Sequence, residues 1–350
     1  MSNKKLGVFL GGYLNYPNAQ NFNCFALAKH LDKTRFNITA LSLSSRPIIP
    51  LKEVTIHRCR WPYSLTICWA YFWNIMKADV VYLPKGELLG YNTFLCRLFK
   101  KKCFTTIEGI LDETNFKKAR QKSGSNFLAY YNRLTKRYSI SNYIKQFNED
   151  RHGLLTEPNL LELGTDPSLF TLTKGPSSSL QNVVMIAANF ENKGIDDYLY
   201  LAASFPLLKF HLIGKKTDVL NQKIKQKKLE NVVQHGYLDR DSYKGILSQM
   251  QLHILTSRSE GFPKVILETA CSGLPSLVYG DYGANDWISN GKNGFVVDNR
   301  DQMKATLNDL IKDPNPLIKI SEAAIQLGHS YDWNIKIKAW EEAILAICDV

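Results

Sequence analysis

The sequence predicts two α/β domains in tandem, each a parallel sheet covered by helices on both sides. At 350 residues the chain is long enough for two domains of ordinary size. In both halves, short apolar segments rich in β-branched residues alternate with longer amphipathic segments. A proline-containing stretch at residues 156–180, which includes a serine run, interrupts the alternation, and we place the linker there.

In the first half, strands are predicted at residues 6–10, 37–42, 78–83 and 103–107, with a helix near residues 21–31. The first strand leads into Gly11 and Gly12, for which a loop is expected because glycine adopts backbone conformations that other residues avoid. Val80 and Val81 are β-favouring and apolar, as is typical of a buried strand. Strands that alternate with helices in this way form parallel sheets.

In the second half, strands are predicted at residues 183–186, 209–213, 232–234, 252–255 and 276–279. Helices are predicted at residues 194–203, 241–250 and 263–272, and a last helix at residues 333–347 follows the second sheet. Two such domains would leave a cleft between the carboxyl ends of their strands, where open α/β sheets bind ligands.

Composition and charge exclude several classes of protein. With 45% hydrophobic and 22% charged residues, the chain is neither disordered nor fibrous. Residues 1–150 hold 23 Lys and Arg against 9 Asp and Glu, a net of +14, whereas residues 151–350 hold 21 against 23, a net of −2. This uneven charge predicts two units with different partners.

The basic side chains of the first half form three clusters. They are Arg97/Lys100/Lys101/Lys102, Lys117/Lys118/Arg120/Lys122 and Arg133/Lys136/Arg137. One such cluster is ordinary for a solvated helix, but together they favour an anionic membrane surface as a partner. Nucleic acid is the competing partner for such charge, and it is not expected because no nucleic-acid-binding module is recognisable.

An aromatic run lies at residues 61–76, between Arg60 and Lys77, and it contains Trp61, Trp69 and Trp73. Its sixteen uncharged residues include a proline and several polar groups, so the run is too short and too polar to span a bilayer. Two interpretations stay open: a buried helix that precedes the strand at residues 78–83, or an aromatic-rich helix that dips into a bilayer surface.

Cysteine and histidine patterns argue against disulfides and metal sites. The seven cysteines include no Cys-x-x-Cys pair, which favours a reducing compartment, and the seven histidines have no metal-ligand spacing. The N-terminus enters a strand at once, without the apolar core of a signal peptide. Asp239-Arg240-Asp241 is interpreted as a helix N-cap, because a helical pattern follows it, and not as a metal-binding Asp-x-Asp.

The most informative segment is residues 257–280, SRSEGFPKVILETACSGLPSLVYG. Pro263 suits the first position of a helix, where a missing N–H costs little, and Gly273 suits the residue just past its end. Glu260 precedes this helix and Glu268 lies on it. A helix N-terminus carries free N–H groups and a partial positive charge, which favour a phosphate.

Glu-Gly-Phe-Pro at residues 260–263, with Glu268 eight positions after the first glutamate and Gly-Leu-Pro closing the helix, resembles the signature of glycosyltransferase family four. The resemblance covers most of the second half and, more loosely, the whole chain. It implies the GT-B fold, two Rossmann-like domains that face each other across a cleft, with a C-terminal helix that returns to the first domain. Trp333 resembles the tryptophan near that helix.

The resemblance implies roles for individual residues. Lys193 resembles the lysine that binds the donor diphosphate, and Glu260 the glutamate that orients the sugar; both are candidate catalytic residues. Glu268 resembles the carboxylate that holds the ribose. The other residues implied in donor binding are Gly11, Gly12, Gly236, Tyr237, Gly261, Phe262, Pro263 and Lys264.

The chain departs from the family pattern at two positions. The family usually carries an arginine five residues before the lysine, where this chain has Ala188; Lys264 either replaces that charge or is simply solvated. The family often has a histidine near the sugar, where this chain has Glu108, which either contacts sugar or acceptor or is merely a strand-end residue.

The expected organisation is an acceptor-binding domain at residues 1–165, a nucleotide-sugar-binding domain at residues 166–330 and the returning helix at residues 331–350. The resemblance implies a retaining, metal-independent glycosyltransferase that uses a nucleoside-diphosphate sugar, without a separate cofactor, on a lipid-linked or cell-surface glycan acceptor. The implied location is cytoplasmic, on the inner face of the cell membrane. Two alternatives stay open: a non-catalytic nucleotide-sugar-binding or membrane-adaptor protein, and a nucleotide-sugar epimerase.

Overall fold

The structure is a computed structural model that describes residues 5–88, 90–111, 128, 131–170 and 179–348. The chain divides into two compact units. Unit 1 comprises Met1–Leu163 and Trp333–Val350, and unit 2 comprises Gly164–Asp332. Among the described residues, no helix is both long enough and apolar enough to cross a bilayer.

Unit 1 is built on a six-stranded parallel sheet in the order β3-β2-β1-β4-β5-β6. Its strands are β1 (Leu6–Tyr13), β2 (Phe36–Leu43), β3 (Val54–Cys59), β4 (Val80–Tyr82), β5 (Lys102–Ile107) and β6 (Lys136–Ser139). Its described helices are α1 (Ala19–His30), α2 (Tyr63–Lys77), α3 (Gly90–Leu98), α4 (Asn142–His152) and α11 (Trp333–Cys348).

Unit 2 is built on a second parallel sheet, in the order β12-β11-β10-β7-β8-β9. Its strands are β7 (Asn182–Ala187), β8 (Lys209–Gly214), β9 (Val232–Gly236), β10 (Leu252–Leu255), β11 (Ser276–Tyr279) and β12 (Phe295–Val297). Its described helices are α5 (Ile195–Ser204), α6 (Asp218–Gln226), α7 (Arg240–Leu247), α8 (Lys264–Cys271), α9 (Arg300–Lys312) and α10 (Pro316–Ser330).

Both sheets have the doubly wound strand order, which confirms the predicted fold class. In each, the first strand of the unit pairs with the fourth, β1 with β4 and β7 with β10. The connections run in opposite directions on either side of that pair, so the pair marks the topological switch point of the sheet. Loops that follow these two strands therefore emerge side by side.

Helix α11 packs within unit 1, although it follows the whole of unit 2 in the chain. The Trp333 ring stacks on His30 of α1 at a centroid distance of 6.3 Å, and the indole of Trp340 donates to the Glu162 carbonyl at 3.0 Å. Trp340 is fully buried. These contacts tie the C-terminal helix to the core of the first unit.

Two predictions about element ends are wrong. Strand β1 does not stop at residue 10: Gly11 and Gly12 lie inside it, at an irregularity in its pairing with β2. A Cβ on Gly12 would lie 2.5 Å from the Cys24 sulfur, so this glycine is needed for close packing of α1 on the strand. Helix α8 begins at Lys264, which makes Pro263 the N-cap and not the first helical residue.

Buried histidines make unit 2 sensitive to acid. Burial, then His235 and Lys209, lowers the pKa of His211 to about 4, and burial lowers that of His253 to about 3. The unfolded chain binds these protons near the ordinary value of about 6.5. Stability is therefore complete above about pH 6.5 and is lost as the pH falls towards 4, because the unfolded chain binds protons that the folded histidines do not.

We expect the unfolding free energy of unit 2, measured in urea between pH 4 and pH 7, to fall by several kcal/mol on acidification. His211 shares a hydrogen bond of 2.8 Å with His235 and one of 3.1 Å with Asn182, so His211→Asn removes one titrating group. The variant should have a shallower dependence on pH than the parent. An unchanged slope would contradict the assignment of acid sensitivity to this histidine.

Candidate active site

Lys193 is positioned by the loop that follows β7. The chain leaves the strand at Ala187, passes the exposed Ala188 and turns at Gly194, which has φ +75°. The Thr256 hydroxyl, just after β10, donates to the carbonyls of Lys193 and Gly194 at 3.0 and 2.7 Å. The loop is thus fixed against the end of the neighbouring strand.

Gly194 makes this close approach possible. A Cβ at this position would lie 2.1 Å from the Thr256 carbonyl oxygen, and the positive φ is itself unfavourable for other residues. Two backbones therefore meet at the switch point of unit 2, where only glycine fits.

Lys193 and Glu260 form an ion pair at this switch point. The Lys193 Nζ lies 2.6 Å from both carboxylate oxygens of Glu260. The glutamate side chain is 8% exposed and the lysine side chain is 32% exposed. The nearly buried carboxylate therefore fixes a cation that solvent, and hence a ligand, can still reach.

Helix α8 follows this pair directly. Ile266, Leu267 and Ala270 bury one face of the helix. Beyond its end, Gly273 has φ +74° and the Leu274 amide donates to the Thr269 carbonyl at 2.9 Å, as in a Schellman closure. The first-turn amides of any helix lack intrahelical partners, so this helix presents donors beside Glu260.

Glu268 lies on α8 in a half-buried environment. Burial raises the pKa of its carboxyl above the ordinary value, and the charge of Lys264, one turn earlier, opposes that shift. Burial and then Glu268 also raise the pKa of Tyr243. The Tyr243 ring packs on Phe170 at 6.3 Å. Lys264 therefore acts on Glu268 within the helix.

Other predicted donor-binding residues differ in exposure. The half-buried Phe262 ring packs on Trp287 at 5.3 Å and on Tyr331 at 5.8 Å, against the core of unit 2. Tyr237 is 72% exposed and follows Gly236, which has φ +80°. Gly261 is half-buried between Glu260 and Phe262.

Arg258 is a nearby cation that the sequence analysis missed. Its guanidinium lies 3.9 Å from the centroid of the Tyr279 ring and donates to Asp281 at 2.7 Å. Its position two residues before Glu260 was the available signal. These two contacts fix the guanidinium within unit 2.

Unit 1 has its own cluster of polar groups at its switch point. The Tyr71 hydroxyl contacts the Gly11 carbonyl and the Glu87 carboxylate, the latter at 2.8 Å. Burial raises the pKa of Glu87 above its ordinary value. Gly11 thus contributes its carbonyl to a buried network, and Glu87, in the turn after β4, is a residue that the sequence analysis missed.

Glu108, at the end of β5, is held by neighbouring side chains. It accepts hydrogen bonds from Asn23 at 3.0 Å, from Thr106 at 3.1 Å and from Tyr82 at 3.4 Å. Asn23 is fully buried. These donors orient the carboxylate within unit 1.

The basic clusters of the first half differ in the contacts that their side chains make. Lys136 forms an ion pair with Glu157 at 2.9 Å, and Arg137 donates to the Leu155 and Tyr131 carbonyls. The cluster at residues 117–122 lies outside the described residues. The cluster that begins at Arg97 runs from the last turn of α3 to the first residue of β5.

Metal-ligating groups do not converge in the part of the chain that the structure describes: no group of three or more His, Cys, Asp or Glu side chains there could hold an ion. Asp239 accepts from the Ser242 amide at 2.9 Å as the N-cap of α7, as predicted.

Residues 174–327 match the family described as "Glycosyl transferases group 1". Among curated proteins, the chain is 26% identical over 215 residues to a poly(glycerol-phosphate) alpha-glucosyltransferase of Bacillus subtilis (strain 168), which covers 59% of this chain and 31% of that protein. It is 25% identical over 207 residues to an alpha-galactosylglucosyldiacylglycerol synthase of Streptococcus pneumoniae (strain ATCC BAA-255 / R6). This match covers 57% of this chain and 53% of that protein. The chain therefore spans between about a third and about half of the length of these relatives.

Solved structures share the fold over nearly the whole chain. HepE of Anabaena, solved with UDP and glucose, superposes with a TM-score of 0.78 at 15% identity and covers 97% of this chain and 100% of its own. The lipopolysaccharide outer core galactosyltransferase WaaB superposes with a TM-score of 0.69 at 15% identity, covering 97% and 99%. Together with the doubly wound sheets, these likenesses show that the chain has the GT-B fold, and its residues 174–327 are similar to the group 1 glycosyltransferases.

Proposed function

We propose that the chain transfers a sugar from a nucleoside-diphosphate sugar to a glycan or lipid-linked acceptor, with retention of the anomeric configuration. The observation that carries this is the ion pair of Lys193 with Glu260, 2.6 Å to both oxygens, at the switch point of unit 2. Ligands of doubly wound sheets bind at this point. The N-terminus of α8 adds anion-binding amides beside it.

The ammonium of Lys193 can bind Glu260 and the donor diphosphate at the same time. It carries three N–H donors, so it can retain Glu260 and still donate to a diphosphate oxygen. As the bond between the sugar C1 and the diphosphate oxygen breaks, negative charge develops on that oxygen, and a positioned cation stabilises it. The acceptor oxygen bonds to C1 on the same face, and its proton passes to the departing phosphate.

Glu260 has two roles in this proposal. Its carboxylate holds Lys193, and one of its oxygens accepts from a sugar hydroxyl and stabilises positive charge on the ring. Glu268 accepts from the ribose hydroxyls. The lysine and helix amides neutralise the diphosphate, so we propose that no metal ion is required.

The acceptor is proposed to be an anionic or membrane-bound glycan polymer or lipid. The names of the relatives support this: one acts on poly(glycerol-phosphate), a second, of Staphylococcus aureus (strain COL), on poly(ribitol-phosphate), and a third makes a glycosylated diacylglycerol. The net charge of +14 over residues 1–150 attracts such material. We propose that the chain works at the inner face of the cell membrane.

The test is release of nucleoside diphosphate from a panel of UDP-, GDP-, ADP- and dTDP-sugars, with and without glycolipid extracts and with and without EDTA. One donor should be turned over, EDTA should leave the rate unchanged, and Glu260→Gln should abolish release. Binding of a donor without turnover, with acceptor extracts present, would favour the adaptor alternative. Isomerisation of the donor sugar without transfer would favour the epimerase.

The ionisation of Glu268 gives a further prediction. The carboxylate binds ribose in its charged form, so donor affinity should fall as the pH falls through its pKa, which burial raises. Lys264→Met removes the charge that lowers this pKa. The acid limb of kcat/KM for the donor should therefore move to higher pH, while the exposed-site control Lys225→Met should leave it in place. A limb that does not move in the Lys264 variant would contradict this role for Glu268.

A further inference from the structure

Helices α2 and α3, with Trp61 just before α2, expose a set of large apolar side chains, which we call the aromatic face. It consists of Trp61, Leu65, Trp69, Trp73, Tyr91, Phe94 and Leu98. Trp61 is 82% exposed, Leu65 70% and Trp69 66%. Soluble proteins rarely expose a large contiguous apolar patch unless it meets a partner or a membrane. The aromatic run was interpreted either as a buried helix or as a helix that dips into a bilayer surface. Neither interpretation was complete, because one face of α2 is buried and the other is exposed to solvent.

The aromatic face is ordered by its own packing. Leu65, Trp69 and Trp73 follow one another at i, i+4 spacing on α2, and the two indoles stack at a centroid distance of 6.4 Å. The ring of Phe72 packs on Phe99, just beyond α3, at 5.2 Å. The Tyr91 hydroxyl of α3 donates to the Cys68 carbonyl of α2 at 3.2 Å. The two helices therefore present one preformed surface.

A groove of about 470 Å³ borders this face, with apolar and cationic walls. Leu65, Trp69 and Trp73 of α2 line one side, and His57–Arg60 at the end of β3 line the other. The Arg58 guanidinium donates to the Ser44 carbonyl at 3.0 Å, which fixes it at the rim. Apolar walls with two arginines suit a molecule that has a hydrocarbon part and an anionic head.

The two segments that carry the aromatic face are cationic, and Asp79 and Glu87 lie between them in the chain. Residues 54–78 hold three Lys or Arg and residues 88–107 hold four, a total of seven, with no Asp or Glu in either segment. Within the described part of the chain, no carboxylate lies within ion-pair distance of Arg58, Arg60 or Lys77. The Lys77 ammonium instead lies 4.4 Å from the centre of the Trp73 ring.

We propose that the aromatic face docks on a bilayer of anionic phospholipid, with a lipid headgroup phosphate held by Arg58 and Arg60 in the groove. This deepens the membrane partner proposed above and rests on that proposal, but it does not depend on the transfer reaction. Tryptophans beside basic residues are typical of surfaces that insert into the interfacial region of a membrane.

Charge decides between a bilayer and a second copy of the chain. A two-fold dimer would bring the same surface of both copies together, so the cations beside the aromatic face, Arg58, Arg60 and Lys77, would meet the same cations of the other copy. An anionic bilayer supplies the opposite charge and a layer that accepts Trp and Leu side chains. The bases of single-stranded RNA could stack on the indoles. The aliphatic side chains of Leu65 and Leu98 offer no aromatic surface for such stacking, so they favour a bilayer.

The test measures binding of the full chain to vesicles of phosphatidylcholine alone and of phosphatidylcholine with one quarter phosphatidylglycerol, by co-sedimentation and by tryptophan fluorescence. The chain has six tryptophans. Trp287, Trp333 and Trp340 are buried, so changes in emission report on the three of the aromatic face. We expect binding to the anionic vesicles, a blue shift, and quenching by lipids brominated along the acyl chain.

Single substitutions test whether the aromatic face is the surface that binds the vesicles. Trp69→Ala should weaken binding to anionic vesicles at least about tenfold, as expected for loss of a large buried apolar side chain. Arg60→Ala should weaken it about fivefold, which corresponds to one basic residue near an anionic surface. Leu207→Ala in unit 2 is the matched apolar control, because Leu207 is 97% exposed, and Lys225→Ala is the matched charge control; both should bind as the parent does.

Glu260→Gln should also bind vesicles as the parent does, which separates failure of this proposal from failure of the transfer reaction. Absence of binding to anionic vesicles, or equal losses in the Trp69 and Leu207 variants, would overturn the proposal. So would a dimer in solution that buries Trp69 from acrylamide quenching, or an RNA oligonucleotide that displaces the chain from the vesicles and quenches the same tryptophans.

Discussion

Replacing Lys193 with methionine is expected to lower donor turnover by about 10²–10³-fold, the usual effect of removing one positioned donor from a developing oxyanion. Methionine is similar in length but has no charge. The loss should appear mainly in kcat, because the charge that Lys193 stabilises is largest in the transition state. The measurement is the initial rate of nucleoside diphosphate release at saturating donor.

The matched control is Lys223→Met. Lys223 forms an ion pair with Asp196 at 2.7 Å in the same unit but away from α8. Exposed pairs of this kind contribute little to stability, so this variant should keep its activity. An equal loss in both variants would show that the rate depends on the net charge of the unit and not on the site.

Removing Lys193 also leaves the Glu260 carboxylate, 8% exposed, without its partner. An unpaired charge in such a place is destabilising, so Lys193→Met should lower the unfolding free energy. The double variant Lys193→Met/Glu260→Gln removes both charges and should regain much of that stability while it remains inactive. If stability and activity returned together, the activity loss of the single variant would be a folding effect.

Gly194→Ala is expected to have the largest effect on stability, a loss of about 3 kcal/mol or more in the unfolding free energy of unit 2, with loss of turnover. A non-glycine residue in the left-handed region costs roughly 1–2 kcal/mol. The added Cβ would also lie 2.1 Å from the Thr256 carbonyl oxygen. The loop would have to move, and Lys193 would leave Glu260.

Gly291→Ala separates these two causes. Gly291 has φ +73°, close to that of Gly194, but no atom lies within 4 Å of the position of its added Cβ. The Gly291→Ala variant should therefore lose only the roughly 1–2 kcal/mol of unfolding free energy that the left-handed backbone conformation costs, and it should leave turnover unchanged. The comparison is made by urea unfolding and by donor turnover. Equal destabilisation in the two variants would contradict the close approach of the two loops.

Much of the fold could be predicted from sequence because its signals are local. Apolar runs such as that of β10 bury both faces of a parallel strand, and Gly273 followed by Pro275 marks the end of α8. The strand β12 has only three residues, too few for an apolar pattern to stand out. Helices α9 and α10 also went unpredicted, although Asn299 caps the first with its side chain.

The site was only partly predictable. The order of strands and loops indicated that Lys193 and Glu260 each follow a strand, but 67 residues separate them. Only the adjacency of β7 and β10 in the sheet brings them together. The resemblance assigned them to diphosphate and sugar separately, and their mutual ion pair is a property of the tertiary structure. Glu87 carried no sequence signal, because its contact with Tyr71 of the preceding helix α2 is a property of the tertiary structure.

The most direct test of the central claim, that Lys193 beside Glu260 binds the donor diphosphate, is titration calorimetry with UDP, GDP, ADP and dTDP. We expect one of them to bind to the parent and to Lys223→Met with equal affinity, and to Lys193→Met at least about tenfold more weakly, as for loss of a charged hydrogen bond. Equal affinity of that nucleotide for the parent and for Lys193→Met would contradict the claim.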